Sequence, residues 1–225
     1  MDDPPVFGYG SLILPTSLIA RYADVSSVDP IYEAGITGGP DLIRDDAKRV
    51  WKAASIDRLP VTVTGFRRYY SVHSPRGGAM LELIHTGDPD DRVNGVLYYG
   101  LTDGQRADVD ATETGYDRIA VEPTVKPYPD RETVAERGLA VPDEIEVYAR
   151  STDDVRAERA RNPTYHARIM AGIDTLADAY GPAVAGRFRA DFRTTTDERD
   201  YGRADPTAFA TVAANDRIGE PGWGQ

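Results

Sequence analysis

The stretch VFGYGSL, residues 6–12, constrains this chain more than any other. Val6 and Phe7 read as the end of a short strand, and the chain then runs into Gly8-Tyr9-Gly10-Ser11 before an apolar segment. Glycine admits φ > 0 and lets another group approach the backbone closely. A strand that ends this way must turn sharply, and the N–H groups left at such a turn line a concavity suited to an anion. A merely tight strand-to-helix turn is the alternative reading of the bare motif.

The pattern excludes the common nucleotide loops. A dinucleotide fingerprint needs a third glycine, and position 13 is Ile. A Walker loop needs Gly-Lys-Ser/Thr, and none follows. Ser11 stands one position off the G-x-S-x-G nucleophile elbow, so acyl-serine chemistry is disfavoured. No cysteine is present, which removes disulfides, thiolate ligands and a cysteine nucleophile. His73, His85 and His166 are not at metal-ligand spacing.

Charge narrows the partners. The net value of −11 opposes nucleic acid and anionic membranes. Asp (26) outnumbers Glu (11), and Arg (23) outnumbers Lys (3). That bias suits a salt-loaded cytoplasm, where screening removes self-repulsion, although a high-GC genome favours the same codons. No apolar run reaches the roughly 18 residues that span a bilayer. The start MDDPP has no basic or apolar leader, so a cytoplasmic location is expected.

Strands are expected over Val6–Tyr9, Val61–Gly65, Tyr69–His73, Ala79–Ile84, Val93–Gly100, Ile119–Val125 and Ile145–Ala149. Tight turns are expected at Pro75–Gly78 and Gly87–Asp91. Thr102 and Gln105 have capping-box spacing and start a helix that Gly115 stops. Ile169, Ile173, Leu176 and Ala177 place one apolar face on a helix from Tyr165 to Tyr180, and a second runs from Ala183 to Phe192. Strands early and helices late indicate an α+β domain with a curled sheet. One domain over residues 1–200 and a tail over 201–225 is expected, with Asp29–Ala54 an insertion.

Glu113 is the candidate acid/base. It stands at a helix C-terminus just before Gly115-Tyr116-Asp117-Arg118, where the macrodipole opposes a carboxylate. A solvated helix end explains a single Glu equally well. Tyr116, Arg118 and Tyr165 are candidate neighbours that packing also explains.

Taken in order, VFGYGSL, VTVTGFRRYYS (61–71) and VNGVLYYGLTDGQRADVDATETGYDRIAV (93–121) resemble the gamma-glutamylcyclotransferase-like family. The resemblance covers residues 5–125, with a weaker echo over 162–196. Thr114 departs from it, standing where many members have Gly. The resemblance implies a small mixed β-barrel with surrounding helices. It implies that a γ-glutamyl compound cyclises to 5-oxoproline and releases an amine. The substrate would be a small γ-glutamyl peptide or amine, with no metal and no cofactor. Tyr9, Gly10, Ser11 and Leu12 would hold the substrate carboxylate or developing oxyanion, and Glu113 would move the protons. A non-catalytic binding module, or an amide hydrolase or acyltransferase on the same fold, remains the alternative.

The charge pattern generates one test. Urea midpoints should rise between about 0.1 M and about 2 M salt. Greatest stability in dilute buffer would undo the salt-adapted reading.

Overall fold

In a computed structural model of the 225-residue chain, residues 3–15, 17–18, 56–73, 78–113, 116–149 and 161–197 are described. The expected turn at 75–77, the insertion at 29–54 and the tail at 201–225 lie outside them. Strand β1 (Val6–Gly8) leads into a 3₁₀ turn (Gly10–Ile13). Strands β2 (Asp57–Thr64), β3 (Phe66–His73), β4 (Ala79–His85) and β5 (Arg92–Tyr99) follow. Helix α1 (Asp103–Thr112) precedes β6 (Asp117–Val121) and β7 (Val125–Pro127). Then come α2 (Arg131–Glu136), β8 (Ile145–Ala149), α3 (Pro163–Tyr180), α4 (Pro182–Thr195) and β9 (Thr196–Asp197).

The α+β class holds, but the sheet is not a closed barrel. The described strands form a six-stranded sheet in the order β6-β8-β1-β5-β2-β7 and a three-stranded sheet in the order β4-β3-β9. Strand β1 lies between β8, to which it is parallel, and β5, to which it is antiparallel. All three of its residues are buried, which suits an uninterrupted Val-Phe-Gly at the centre of a sheet.

Two prolines explain where strand boundaries differ from expectation. Pro60 looks like a strand breaker, yet β2 passes through it. Its carbonyl accepts from Tyr128 N–H at 3.0 Å, so its own N faces the side where β7 ends rather than the β5 ladder. Pro123 has the opposite effect and divides the expected strand at 119–125 into β6 and β7. Helix α2 was not expected, although Asp130 caps it by accepting from Thr133 N–H at 2.8 Å.

Capping sets both helices that matter for the site. The expected box is formed at α1, where Thr102 Oγ1 accepts from Gln105 N–H and Gln105 Oε1 accepts from Thr102 N–H. Asn162 caps α3 with Pro163 in the first turn. Gly172 in α3 lies against the backbone of the 3₁₀ turn. A Cβ at Gly172 would stand 2.6 Å from Leu14 N and 2.7 Å from Ile13 C, so only glycine permits this approach. No helix among the described residues is long and apolar enough to cross a membrane.

The two sheets and α4 meet at Arg68, which is 1% exposed. Its guanidinium donates to Asn94 O (2.6 Å), Asn94 Oδ1 (2.9 Å), Thr196 Oγ1 (3.0 Å) and Thr195 Oγ1 (3.1 Å). It also lies 4.0 Å from the centroid of the Phe192 ring. Arg68→Met would strip buried acceptors of their donor and should cost about 3 kcal/mol or more. Urea denaturation reads this directly, and an unchanged midpoint would remove Arg68 from the framework.

Candidate active site

Tyr9 follows β1 in extended conformation (φ −123°, ψ 170°), and the chain then coils into the 3₁₀ turn. Gly10 takes φ +59°, which favours glycine. The glycine turn predicts a space beside Gly10 into which another group comes close. At the Cα itself that space is filled, because a Cβ on Gly10 would fall on the Tyr165 hydroxyl. The same hydroxyl accepts from Ser11 N–H at 3.4 Å. Leu12 N–H is given to Tyr9 O at 3.2 Å, and the Leu12 side chain is in the core. The leading N–H groups of the turn are therefore those of Gly10 and Ser11.

Glu113 is the C-cap of α1, with its N–H on Val109 O at 3.1 Å. It is half-buried, and its carbonyl accepts from Tyr116 N–H at 3.1 Å. The last turn of α1 is fixed from the sheet side. Tyr148 Oη donates to Asp110 Oδ1 at 2.6 Å, and Arg118 pairs with Asp110 at 3.2 Å and Glu146 at 3.3 Å. Arg106 donates to Pro4 O at 2.9 Å and to Glu146, tying α1 to the chain before β1.

These elements bring Glu113 within electrostatic range of the turn. The Tyr9 phenol is buried and its pKa is raised well above the ordinary value, first by desolvation. Tyr116, Glu113, Tyr165 and Glu82 add to the rise in that order. Burial also raises the Tyr148 phenol, helped by Asp110 and, less, by Glu113. Tyr9 thus keeps its proton across the neutral range and stands ready as a donor. Tyr116 spans the same region, its hydroxyl donating to Leu81 O at 3.4 Å.

Tyr9, Gly10, Ser11 and Tyr165 thus gather where β1 ends, with Tyr116 and Glu113 in electrostatic range of the Tyr9 phenol. Arg118 does not join them: its guanidinium is committed to Asp110 and Glu146. Tyr165, treated as a neighbour that packing explains, instead touches the glycine turn itself. The contact links residues 154 positions apart, so only the α3 cap motif Asn162-Pro163 hinted at where Tyr165 would begin its helix.

The histidines are elsewhere or occupied. His85 stacks on Phe66 with centroids 4.9 Å apart. His166 Nδ1 pairs with Tyr70 Oη at 2.7 Å. The side chain of His73 lies outside the described residues. Among the described residues no group of three or more His, Asp or Glu is placed to hold a metal ion. Two clefts, of about 290 and 640 Å³, are lined by none of the site residues. One lies beside Lys126, Tyr128 and Arg187, the other beside His85 and Glu144. Cleft volume alone does not mark chemistry here.

No family model matches the chain, and no curated protein matches it. Solved structures similar to it include a gamma-glutamyl cyclotransferase at 14% identity, covering 94% of this chain and 98% of that one, with a TM-score of 0.44. A yeast gamma-glutamyl cyclotransferase specific to glutathione is 17% identical over 96% and 99% of the two chains, with a TM-score of 0.40. An Arabidopsis thaliana protein known from its solution structure is 18% identical over 86% and 84%, with a TM-score of 0.39. At such identities and scores, the residues of the site have to carry any functional reading.

Burial holds the His166 imidazole down at a pKa of about 4, with Arg161 and Arg193 contributing. The unfolded chain takes up that proton near 6.5, so this group destabilises the fold progressively as pH falls from about 6.5 to about 4. His166→Gln should flatten that part of the stability profile. Urea midpoints at several pH values would show it, and parallel profiles for the two proteins would refute it.

Proposed function

We propose that this chain is a gamma-glutamylcyclotransferase-type enzyme that converts a γ-glutamyl peptide or amine to 5-oxoproline and a free amine. The observation that supports the proposal is the Gly10–Ser11 turn at the end of β1, with the neutral Tyr9 phenol beside it and the Glu113 carboxylate within electrostatic range of that phenol. These are a proton acceptor, a neutral donor and leading backbone N–H groups. A γ-glutamyl group offers a matching set: an α-ammonium, an α-carboxylate and a γ-carbonyl.

Ring closure is intramolecular, so the site has only to fold the substrate into a near-attack shape. Glu113 accepts a proton from the α-ammonium. The freed nitrogen attacks the γ-carbonyl carbon, and a five-membered ring forms with an oxyanion on the former carbonyl. Gly10 N–H and the neutral Tyr9 phenol are suited to that charge. The carbon–nitrogen bond to the leaving group then breaks. Glu113 gives its proton to the departing nitrogen, takes the second proton from the ring nitrogen and passes it to the amine, so the lactam is neutral, the amine leaves as an ammonium and Glu113 is again a carboxylate. Tyr165 and Tyr116 line the approach, and Leu12 contributes its backbone to the turn.

Glu113→Gln keeps the shape and removes the base. It should abolish 5-oxoproline formation from a panel of γ-glutamyl amino acids, glutathione and γ-glutamylamines, with an unchanged circular dichroism spectrum. The loss expected for a positioned acid/base is about 10²–10⁴-fold. Full activity in that variant would remove Glu113 from the mechanism. Free glutamate in place of 5-oxoproline from the wild type would identify a hydrolase.

A further inference from the structure

The 3₁₀ turn is backed by a buried cation that the chemistry above does not use. Arg58, on β2, is 5% exposed. Its Nη1 donates to Ile13 O at 3.2 Å, and its Nη2 donates to Thr175 Oγ1 at 2.7 Å. Thr175 Oγ1 donates in turn to Gly172 O at 2.6 Å, at the glycine where α3 rests on Ile13 and Leu14. The guanidinium also hydrogen-bonds Tyr98, whose hydroxyl donates to Leu12 O at 2.6 Å. The carbonyls of two successive turn residues are thus held by one linked set of donors. The backbone of Arg58 is held as well, its carbonyl accepting from Tyr180 Oη.

We propose that Arg58 is a positioning residue for the Gly10–Ile13 turn, aiming the leading N–H groups of Gly10 and Ser11 by gripping the carbonyls at the other end. Each peptide unit is planar, so holding Ile13 O fixes Leu14 N–H, which donates to Ser11 O; the Ser11 peptide plane carries Leu12 N–H, which donates to Tyr9 O in the plane of Gly10 N–H. A 3₁₀ turn of four residues is a single short piece with few internal bonds, which leaves its axis free to tilt unless something outside holds it. Arg58 supplies that hold from the sheet, and Gly172 supplies it from α3. Arginine suits the task because its planar fork reaches several acceptors at once, whereas a lysine ammonium on the same stem serves fewer. A burial that lowers the Arg58 pKa still leaves the guanidinium charged at neutral pH.

The catalytic consequence rests on the function proposed above; the consequence for the turn does not. Arg58→Lys keeps one charge and loses the fork. Amide hydrogen exchange at Leu12 and Leu14 should quicken about ten-fold or more in this variant, with the central strands β1 and β5 unaffected. On a turning-over substrate, kcat/KM should fall about ten- to a hundred-fold, as misplacement of a binding element does, while the pH profile set by Glu113 stays put. Tyr128→Phe, which removes a hydrogen bond to Asp191 away from the turn, is the control for general loosening. A folded Arg58→Lys with wild-type exchange at Leu12 and Leu14 would overturn the proposal. So would exchange that quickens evenly throughout the chain, as expected of the control. Arg58→Met should give the larger effect, and if it fails to fold the lysine variant decides. A wild type that forms no 5-oxoproline would sink the enzyme reading alone, because amide exchange still reports on the turn.

Discussion

Arg68 is the constraint on which the rest of the described structure depends. It carries a full charge in the interior, and the acceptors it reaches among the described residues are neutral: the carbonyl and side chain of Asn94, the carbonyl of Phe192 and the hydroxyls of Thr195 and Thr196. Desolvation pulls its pKa down to about 10, which still leaves it charged at neutral pH. A cation in such surroundings is tolerated only when its hydrogen bonds are complete. Completing them requires β3, β5, the end of α4 and β9 to be in register together. Asn94 extends the same demand, since its Nδ2 donates to Phe188 O at 2.7 Å within α4. The three-stranded sheet is therefore docked on the six-stranded one by a polar lock set in apolar surroundings, with Phe188 and Phe192 closing around it.

That docking has a consequence for the site. Strand β4 is hydrogen-bonded to β3, and Leu81 on β4 lies beside Gly10 and receives the Tyr116 hydroxyl. If β3 is held by Arg68, the wall of the site opposite α3 is held too. The glycine turn then has α3 on one side, β4 on another and the Arg58–Tyr98 pair behind it. Glu113 arrives from a separate direction, on a helix anchored to β8 and β6 through Asp110, Arg118 and Glu146. Preorganisation of this kind comes from side chains that touch nothing reactive.

Local signals in the sequence were read well and long-range ones were not. The Thr102–Gln105 box, the α3 and α4 helices and the glycine turn each announce themselves within a few residues, because capping and positive φ are local demands. Pro60 misled because the cost of a missing N–H depends on which neighbour it faces, a fact that only the sheet supplies. The α+β class is legible in strands early and helices late, whereas strand composition does not say whether edge strands β6 and β7 meet. Helix α2 was legible in Asp130 and Thr133 but is short enough to pass for a turn. For the site, the end of β1 and the end of α1 were placed in sequence by motif. The meeting of the first with Tyr165 follows from packing across more than a hundred residues, and the commitment of Arg118 to Asp110 and Glu146 follows from the pairing of β6 with β8.

The arginine excess also looks different once the interior is seen. In the sequence it accompanies an aspartate-rich balance and reads as a surface property. Yet Arg58, Arg68, Arg106 and Arg168 are all buried, at 1–6% exposure. Arg58 holds the turn, Arg68 the two sheets and Arg106 the helix that bears Glu113. Each binds backbone carbonyls, a task that needs several donors on one rigid plane and a charge that survives burial. Lysine meets neither requirement, so the scarcity of lysine has a structural side independent of any surface adaptation. The acidic exterior and the arginine-braced interior are then separate features of one composition, and a change of salt that acts on the first leaves the second largely untouched.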